Sequence, residues 1–444
     1  MSDVIHVSWP HQKRSRKDLP SLCIPASKSE LNRLLILAAL REGRTVIRGT
    51  SHCEDVQKLI NALIILGLPI SRTVDGFVVE KGGLGVLGQG RSSIVLDCGS
   101  GGTTLRFLMA ICSLLPLKTE LLASSQLLKR PFEEWIKVLS QMGAQVEKTS
   151  RGFQIKNSGE GVCPSNLRVP MERSSQFASA IALAASGLQK EITIQTGNSK
   201  VSEPYWLMTL ELLRQVHATV KIKKEETVIQ PAPSGARQKA LELVAEADAS
   251  SAAVWLASGA LGWSVKISNY PQTKRQADCE FSSLLFEFGC KVKKDKDGIY
   301  STAARHEFQK GFQKGSQKRN INLRHSPDLA PILAVLGALL KGETEITGAK
   351  HLRYKESNRI EDLATFLEKV GITLFPKSDG FVIKGDQIPR SGIVNPHGDH
   401  RLAMAASLLA SRTSKIGIEM PNVVDKSYPE FWQHAKEVGW KIEN

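Results

Sequence analysis

The sequence predicts an α/β protein built from two similar domains, each with three copies of one helix-and-strand unit. Three observations support this: the length of 444 residues, an apolar helix that recurs six times, and a β-type strand after each recurrence. A chain of this length exceeds one ordinary hydrophobic core, so two domains are the natural expectation. Recurrence at a long fixed period is typical of a repeated supersecondary unit.

The recurring element is an Ala/Leu-rich helix that follows a small polar start and ends at a short turn before a strand. This helix is apolar on nearly every side, which predicts that it is buried. Its six copies, spaced roughly 70 to 80 residues apart, begin at Leu31, Thr103, Ser174, Ser250, Asp328 and His400.

A second, more amphipathic helix follows each first one and is expected to cover it. Clear examples begin at Glu54, Phe132 and Ser357, and strand candidates such as 76–81 and 380–385 close several units. The six units divide naturally into three plus three. We therefore place the first domain at 26–245 and the second at 246–444, with an N-terminal strand from 1–25 added to the second.

Composition indicates an ordinary soluble globular protein, with 41% hydrophobic and 23% charged residues. The longest apolar runs, 31–40 and 329–340, are shorter than the ~20 residues of a bilayer span. The first residues lack the apolar segment of a secretory signal. Seven cysteines without a CxxC pair argue against a disulfide framework or a zinc site. We expect a cytoplasmic protein with no membrane association and no metal.

The net charge of +15 is compatible with a nucleic-acid partner or with a small anionic substrate. Much of the excess lies in two runs, 11–17 and 305–319. Neither run has interleaved aromatic residues or a recognisable nucleic-acid-binding module. Solvated basic loops are the simpler interpretation, and no nucleic-acid partner is expected.

The chemically distinctive residues lie where the buried helices begin. Helix N-termini present unpaired backbone N–H groups and a partial positive charge, which suit anions. Side chains of this kind occur at 28–33, 101–106, 174–176, 248–251, 327–328 and 399–401. If two three-unit domains direct these helix ends at one cleft, the cleft suits a substrate with several anionic groups.

Ten short motifs occur in a fixed order, most of them at the boundaries of the repeats. They are PASKSELNR at 25–33, DCGSGGTTLR at 97–106, LKRP at 128–131, SSQF at 174–177, SEPY at 202–205, EADASSA at 246–252, PD at 327–328, KESNR at 355–359, DHRLAM at 399–404 and DKSYP at 425–429. In this order they resemble the 5-enolpyruvylshikimate-3-phosphate synthase family, and the resemblance extends over nearly the whole chain, from Pro25 to Glu437. Each motif alone is weak evidence, and the order makes the resemblance specific.

The resemblance implies a fold of two domains, each with three βαβαββ units arranged as an inverse α/β barrel. It implies transfer of the enolpyruvyl group of phosphoenolpyruvate to the 5-hydroxyl of shikimate-3-phosphate, through a tetrahedral intermediate and with release of phosphate. This reaction belongs to chorismate and aromatic amino acid biosynthesis and uses no cofactor or metal. The expected partners are the two substrates alone, and the expected state is a monomer.

The resemblance also assigns roles to individual residues. Asp328 would take the hydroxyl proton, while Glu356, together with Lys28, would serve the methylene carbon. The predicted shikimate-3-phosphate ligands are Lys28, Ser29, Arg33, Ser174, Ser175, Gln176, Ser202, Tyr205, Asp328 and Lys355. The predicted phosphoenolpyruvate ligands are Lys28, Gly102, Arg130, Gln176, Arg359, Arg401 and Lys426.

Structural interpretations stay open for several of these residues. Asp328 could cap a helix, Lys355 and Arg359 could lie on a solvated helix face, and His400 could be a structural histidine. The chain also departs from the family pattern at Ala26, Gln57, Ser100, Glu203 and His351. These departures leave open a relative with another acceptor. A transferase that acts on UDP-N-acetylglucosamine is disfavoured because the run 122–131 lacks the reactive cysteine of that family.

Overall fold

The computed structural model describes residues 4–10, 19–157, 163–169, 171–172, 174–198, 201–303 and 318–444. The chain divides into two compact units. We call Ala26–Glu246 the N-terminal unit, and Met1–Pro25 with Ala247–Asn444 the C-terminal unit. The basic run at 11–17 and most of the run at 305–319 lie outside the described residues.

Each unit contains three four-stranded sheets among its described residues, and all six sheets share one pattern. In the N-terminal unit the strands are β3 (Thr45–Arg48), β4 (Ile70–Thr73), β5 (Gly76–Val79), β6 (Ser93–Asp97), β7 (Lys118–Leu122), β8 (Gln145–Lys148), β9 (Gly152–Lys156), β10 (Asn166–Arg168), β11 (Ile192–Gln195), β12 (Thr219–Ile222), β13 (Glu226–Gln230) and β14 (Leu241–Val244). They form sheets in the orders β14-β3-β5-β4, β6-β7-β9-β8 and β10-β11-β13-β12. In each sheet the first two strands are parallel and the others antiparallel.

The C-terminal unit repeats this arrangement. Its strands are β1 (Val4–Ser8), β2 (Ser21–Leu22), β15 (Lys266–Ile267), β16 (Lys291–Asp295), β17 (Gly298–Thr302), β18 (Lys318–Asn322), β19 (Glu343–Thr347), β20 (Leu374–Lys377), β21 (Gly380–Lys384), β22 (Gly392–Val394), β23 (Ile416–Glu419) and β24 (Lys441–Glu443). Their orders are β2-β15-β17-β16, β18-β19-β21-β20 and β22-β23-β1-β24, again with one parallel pair in each sheet.

A parallel pair needs a crossover connection, and the recurring apolar helix provides it in four of the sheets. The six copies of that helix are α1 (Lys28–Leu40), α3 (Gly102–Cys112), α6 (Ser175–Ala185), α9 (Ala249–Ala260), α11 (Ala330–Leu339) and α13 (His400–Ser407). Every residue of α9 and α11 is buried, as the sequence predicts. The buried helices lie in two hydrophobic cores, one in each unit.

The second helix of each repeat is amphipathic, also as predicted. These helices are α2 (Glu54–Ile65), α5 (Glu133–Gln141), α7 (Glu203–Gln215), α10 (Phe281–Glu287), α12 (Arg359–Lys369) and α14 (Phe431–Glu437), and two short helices, α4 (Ser125–Leu128) and α8 (Ser234–Gln238), complete the set. In α12 the buried stripe includes Leu363, Phe366 and Leu367. Each such side chain contributes about 1.5–3 kcal/mol when fully buried. Among the described residues, no helix is both long and apolar enough to cross a bilayer.

Candidate active site

Several charged side chains of the C-terminal unit surround Arg359, the first residue of α12. Its side chain is only 1% exposed, and its guanidinium donates to three carboxylates. Nε lies 2.7 Å from Oδ2 of Asp399, Nη1 lies 2.7 Å from Oδ1 of Asp328, and Nη2 lies 2.9 Å from Oε2 of Glu356. Burial lowers the pKa of Arg359, but these carboxylates outweigh it and raise the pKa well above its ordinary value. The solvated-face interpretation of Arg359 is therefore wrong.

Asp328 lies in the 3-10 turn Pro327–Leu329, immediately before α11. Its other oxygen, Oδ2, lies 3.3 Å from Nη2 of Arg401, and Nζ of Lys355 is 3.9 Å from Oδ1. The carboxylate is engaged by cations, and the turn has no side-chain cap, so helix capping is not its role. Burial raises the pKa of Asp328, but Arg401, Lys355 and Arg359 outweigh it and hold the pKa well below its usual range. Asp328 is therefore an anion at neutral pH, and its basicity depends on those cations.

Two further elements complete this group of charges. Lys426 ends the 3-10 turn Pro421–Lys426, and its Nζ lies 3.5 Å from Oε1 of Glu356. Asp399 caps α13 by accepting from the backbone N–H of Arg401 at 2.8 Å, which fixes the start of that helix. We call the set of Asp328, Lys355, Glu356, Arg359, Asp399, Arg401 and Lys426 the C-terminal cluster. Its four cations face three carboxylates, so the cluster is suited to an additional anion.

Two histidines lie beside the cluster. Burial, together with Lys355, lowers the pKa of His351 to about 3, so the imidazole is neutral at physiological pH. Its Nε2 is buried and has no hydrogen-bond partner among the described residues. His400, the first residue of α13, is buried, and its Nδ1 lies 3.9 Å from Asp399, which agrees with a structural histidine.

In the N-terminal unit, Lys28 begins α1 and forms a partly buried ion pair. Its Nζ lies 2.9 Å from Oδ2 of Asp55, an acidic residue in the first turn of α2. The Asp55 carbonyl accepts from Oγ1 of Thr104 at 3.0 Å, which ties α2 to α3. Lys28 is therefore a charged donor held in place by a fixed carboxylate.

The glycine-rich turn before α3 leaves open space for two arginines. A Cβ added to Gly102 would lie 2.9 Å from Nη1 of Arg106 and 3.0 Å from Nη1 of Arg130. The first residue of α3 is thus approached by two guanidinium groups, and an uncapped helix N-terminus adds unpaired N–H donors. This combination is typical of an anion site.

The amide of Gln176 joins α6 to α3, the helix that carries Arg106. Its Oε1 accepts from Nη1 of Arg106 at 2.5 Å, and its Nε2 donates to Oγ1 of Thr103 at 3.1 Å. Ser174 caps α6 through the backbone N–H of Gln176, and Ser175 is buried as the first residue of that helix. The structure therefore brings together Gly102, Arg106, Arg130 and Gln176.

The remaining predicted residues of this unit lie at the contact of α1 with α7. Arg33 is buried and donates to Oγ1 of Thr209 at 2.7 Å, to the Ser29 carbonyl at 2.8 Å and to the Tyr205 carbonyl at 3.1 Å. Burial lowers the pKa of Arg33 to about 10. Ser202 precedes α7 in a left-handed conformation, with φ of 54°. Arg33 thus has protein acceptors on all three of its nitrogens, and its role toward a substrate stays a prediction.

A comparison with protein families decides the relationship suggested by this geometry. Residues 18–435 match the model of the EPSP synthase (3-phosphoshikimate 1-carboxyvinyltransferase) family. The chain belongs to the EPSP synthase family. A 3-phosphoshikimate 1-carboxyvinyltransferase from Dehalococcoides mccartyi is 32% identical over 433 residues, which cover 96% of this chain and 98% of the relative. One from Aliivibrio salmonicida is 30% identical over 420 residues, covering 94% and 96%.

Solved structures of the EPSP synthase fold superpose on nearly the full chain. An EPSP synthase from Acinetobacter baumannii has a TM-score of 0.77 at 23% identity and covers 99% of this chain and 100% of that one. The enolpyruvyl transferase NikO from Streptomyces tendae has a TM-score of 0.74 at 15% identity and covers 100% and 99%. These likenesses confirm the predicted two-domain α/β fold with its six repeats.

Sequence reasoning did not assign a role to three residues of the candidate site. Asp399 is completely buried and pairs with Arg359, Asp55 pairs with Lys28, and Arg106 pairs with Gln176. Asp399 and Arg106 lie inside the motifs at 399–404 and 97–106, whereas Asp55 lies outside all ten. Nothing in a motif shows which charged neighbours meet in space. For Arg106, the available signal was a charged residue near the start of an otherwise apolar helix. That signal placed Arg106 in the motif but did not indicate its partner.

Proposed function

We propose that this chain transfers the enolpyruvyl group of phosphoenolpyruvate to the 5-hydroxyl of shikimate-3-phosphate and releases phosphate. The observation that supports it best is the C-terminal cluster, in which the carboxylate of Asp328 forms ion pairs with three cations. Phosphoenolpyruvate carries a phosphate and a carboxylate and needs several cations. The acceptor needs a base for its hydroxyl. The cluster offers both in one place.

Asp328 is the proposed base, and the substrate itself would activate it. Without ligand, Arg401, Lys355 and Arg359 hold the pKa of Asp328 well below its usual range, so it is a weak base. When phosphoenolpyruvate binds Arg401 and Lys355, its negative charge offsets these cations and raises the basicity of Asp328. The proton of the 5-hydroxyl then moves to Asp328 as the oxygen attacks C2 of phosphoenolpyruvate.

Glu356 is the proposed acid for the methylene carbon, and the role of Lys28 in the same step stays a prediction. In the addition, C3 gains a proton while the new C2–O bond forms, giving the tetrahedral intermediate. In the elimination, the methyl group returns that proton to the carboxylate, the C2–O bond to phosphate breaks, and the electron pair leaves with phosphate. Acid–base catalysis of this kind contributes roughly 10²–10⁴-fold. The cations stabilise the negative charge of the departing phosphate.

The proposed ligands divide by exposure. Arg401 and Lys426 have side chains that are 6% exposed, while Arg359 is 1% exposed and bonded to three carboxylates. Arg401, Lys426 and Lys355 are therefore better suited to direct contact with an anion. Short hydroxyl donors suit a phosphate dianion. We therefore keep as predicted shikimate-3-phosphate ligands the hydroxyl groups of Ser29, Ser174, Ser175, Ser202 and Tyr205.

Phosphate release from phosphoenolpyruvate tests this function. Purified enzyme is incubated with phosphoenolpyruvate and shikimate-3-phosphate, with UDP-N-acetylglucosamine in a second reaction and no acceptor in a third. We expect release only in the first. Release with the nucleotide sugar alone would assign another acceptor, and no release with shikimate-3-phosphate would contradict the proposal.

A glycine substitution tests the anion site at α3. In Gly102→Ala, the new Cβ meets the guanidinium groups of Arg106 and Arg130 at about 3 Å, so both must withdraw from the helix N-terminus. We expect the KM for phosphoenolpyruvate to rise roughly tenfold, which corresponds to about 1.4 kcal/mol, while the KM for shikimate-3-phosphate changes little. Steady-state kinetics with each substrate varied in turn measures both.

The matched control is Gly85→Ala, because a Cβ there meets no atom within 4 Å. It should leave both constants unchanged. An unaltered KM for phosphoenolpyruvate in Gly102→Ala would place the donor away from α3. The cytoplasmic location, the monomeric state, the domain limits and the lack of a nucleic-acid partner stay predictions.

A further inference from the structure

Asp278 is a buried carboxyl group that the reaction described above does not use. It lies in the 3-10 turn Ala277–Glu280 of the C-terminal unit and is 1% exposed. Oγ of Ser250 donates to its Oδ2. Its Oδ1 is buried and has no hydrogen-bond partner among the described residues. Because an ionised carboxylate accepts several hydrogen bonds, this environment favours the neutral acid.

The turn that carries Asp278 is fixed on both sides. Gln276 donates to the Ala247 carbonyl at 2.7 Å and accepts from the Ala249 N–H at 2.8 Å, so it spans the start of α9. At the other end of the turn, Glu280 accepts from Oγ of Ser326, two residues before Asp328. The position of Asp278 relative to the C-terminal cluster is therefore determined by hydrogen bonds and not by loose packing.

Three charged groups from three different elements affect the pKa of Asp278 through their charges. Asp248 comes from the start of α9, Asp328 from the turn before α11, and Arg401 from α13. Burial and the Asp328 charge raise the pKa of Asp278 to about 7, although Arg401 lowers it. Arg401 itself lies 3.3 Å from Asp328 and is also attracted by Asp248 and Asp278. Arg401 thus pairs with Asp328 and also responds to the charges of Asp248 and Asp278.

We propose that Asp278 is a positioning residue that controls how strongly Arg401 attracts the anionic donor substrate. While Asp278 carries its proton, the charge of Arg401 is available to Asp328 and to the ligand. When Asp278 loses its proton, a further negative charge faces Arg401 and weakens the binding of phosphoenolpyruvate. This inference rests on the proposed function for the identity of the ligand. The contacts of Asp278 and Arg401 on which it depends are present in the protein without any ligand.

The test compares the wild type with Asp278→Asn, in which the amide imitates the neutral acid and still accepts from Ser250. We expect kcat/KM for phosphoenolpyruvate to fall roughly three- to tenfold in the wild type between about pH 6 and about pH 8.5. The fall should be in KM, with kcat nearly unchanged. In Asp278→Asn it should be absent, and at about pH 6 the two proteins should match. The substrate phosphates titrate in both proteins alike, so the comparison removes their contribution.

Ser250→Ala provides a second variant that keeps the carboxyl group. Because the Ser250 hydrogen bond lowers the pKa of Asp278, its loss should move the fall in kcat/KM to higher pH. Asp297→Asn, an exposed aspartate of the same unit, is the matched control and should follow the wild type. The inference is overturned if Asp278→Asn keeps the alkaline fall, or if that fall lies in kcat.

A binding measurement separates this inference from the proposed function. Calorimetric titration with phosphoenolpyruvate alone, at about pH 6 and about pH 8.5, requires no turnover. Wild-type affinity should fall between the two values and that of Asp278→Asn should not. If no acceptor supports phosphate release but this difference is present, the proposed reaction fails and the role of Asp278 stands. If turnover is normal and the difference is absent, the role of Asp278 fails alone.

Discussion

Asp328→Asn is expected to lower kcat by roughly 10²–10⁴-fold, the range typical of a lost general base. Asparagine has nearly the same shape and keeps an acceptor for Arg359 or Arg401, but it cannot take the hydroxyl proton. The substitution also removes a negative charge that Arg401, Lys355 and Arg359 share in the absence of ligand. The KM for phosphoenolpyruvate should therefore stay the same or fall. Steady-state phosphate release at saturating shikimate-3-phosphate measures both constants.

The combination of a low kcat with an undiminished affinity is the informative result. A purely structural role for Asp328 would disturb its cations and raise KM together with the loss of kcat. Asp386→Asn is the matched control, because Asp386 is exposed and has a left-handed backbone conformation, with φ of 58°, that asparagine readily adopts. If kcat in Asp328→Asn stays within tenfold of the wild type, another group takes the hydroxyl proton.

The repeating architecture could be predicted from the sequence because each repeat contains a long apolar helix. Helices such as α9 and α11 are buried on every side, and the sequence shows this directly in their composition. The pairing of the first and last strands of the N-terminal unit could not be predicted in this way. The parallel partner of β3 is β14, nearly two hundred residues later in the chain, so the two ends of that unit meet in one sheet although two whole repeats lie between them.

The candidate site was predictable to the extent that its residues lie in ordered motifs. The motifs indicated Asp328, Glu356, Arg359 and Arg401, but they did not show that Arg359 is buried among three carboxylates. The resemblance assigned Arg359 to phosphoenolpyruvate, which stays a prediction, and the structure adds that its guanidinium pairs with Asp328 and Glu356. Pairings such as Lys28 with Asp55 depend on how two helices of one unit pack. A single sequence carries no signal for that distance.

The burial of Arg359 leads to the second large effect, which is on stability. Arg359→Ala should lower the free energy of unfolding of the C-terminal unit by roughly 3–5 kcal/mol, the usual cost of removing one partner from a buried ion pair. The reason is that Asp399, which is fully buried, would lose a partner at 2.7 Å, and Asp328 and Glu356 would lose theirs. Urea unfolding followed by tryptophan fluorescence measures this, since five of the seven tryptophans lie in the C-terminal unit, at positions 9, 255, 263, 432 and 440.

Two further variants separate charge from geometry at this position. Arg359→Lys keeps the positive charge, but a single ammonium group cannot make the forked bonds to Asp399 together with those to Asp328 and Glu356. Its stability should therefore lie between those of the wild type and Arg359→Ala. Arg412→Ala, an exposed arginine of the same unit, should change stability by at most about 1 kcal/mol. If Arg359→Ala were as stable as Arg412→Ala, the three carboxylates would have to be satisfied without the guanidinium, and the assignment of Arg359 as the centre of the cluster would be wrong.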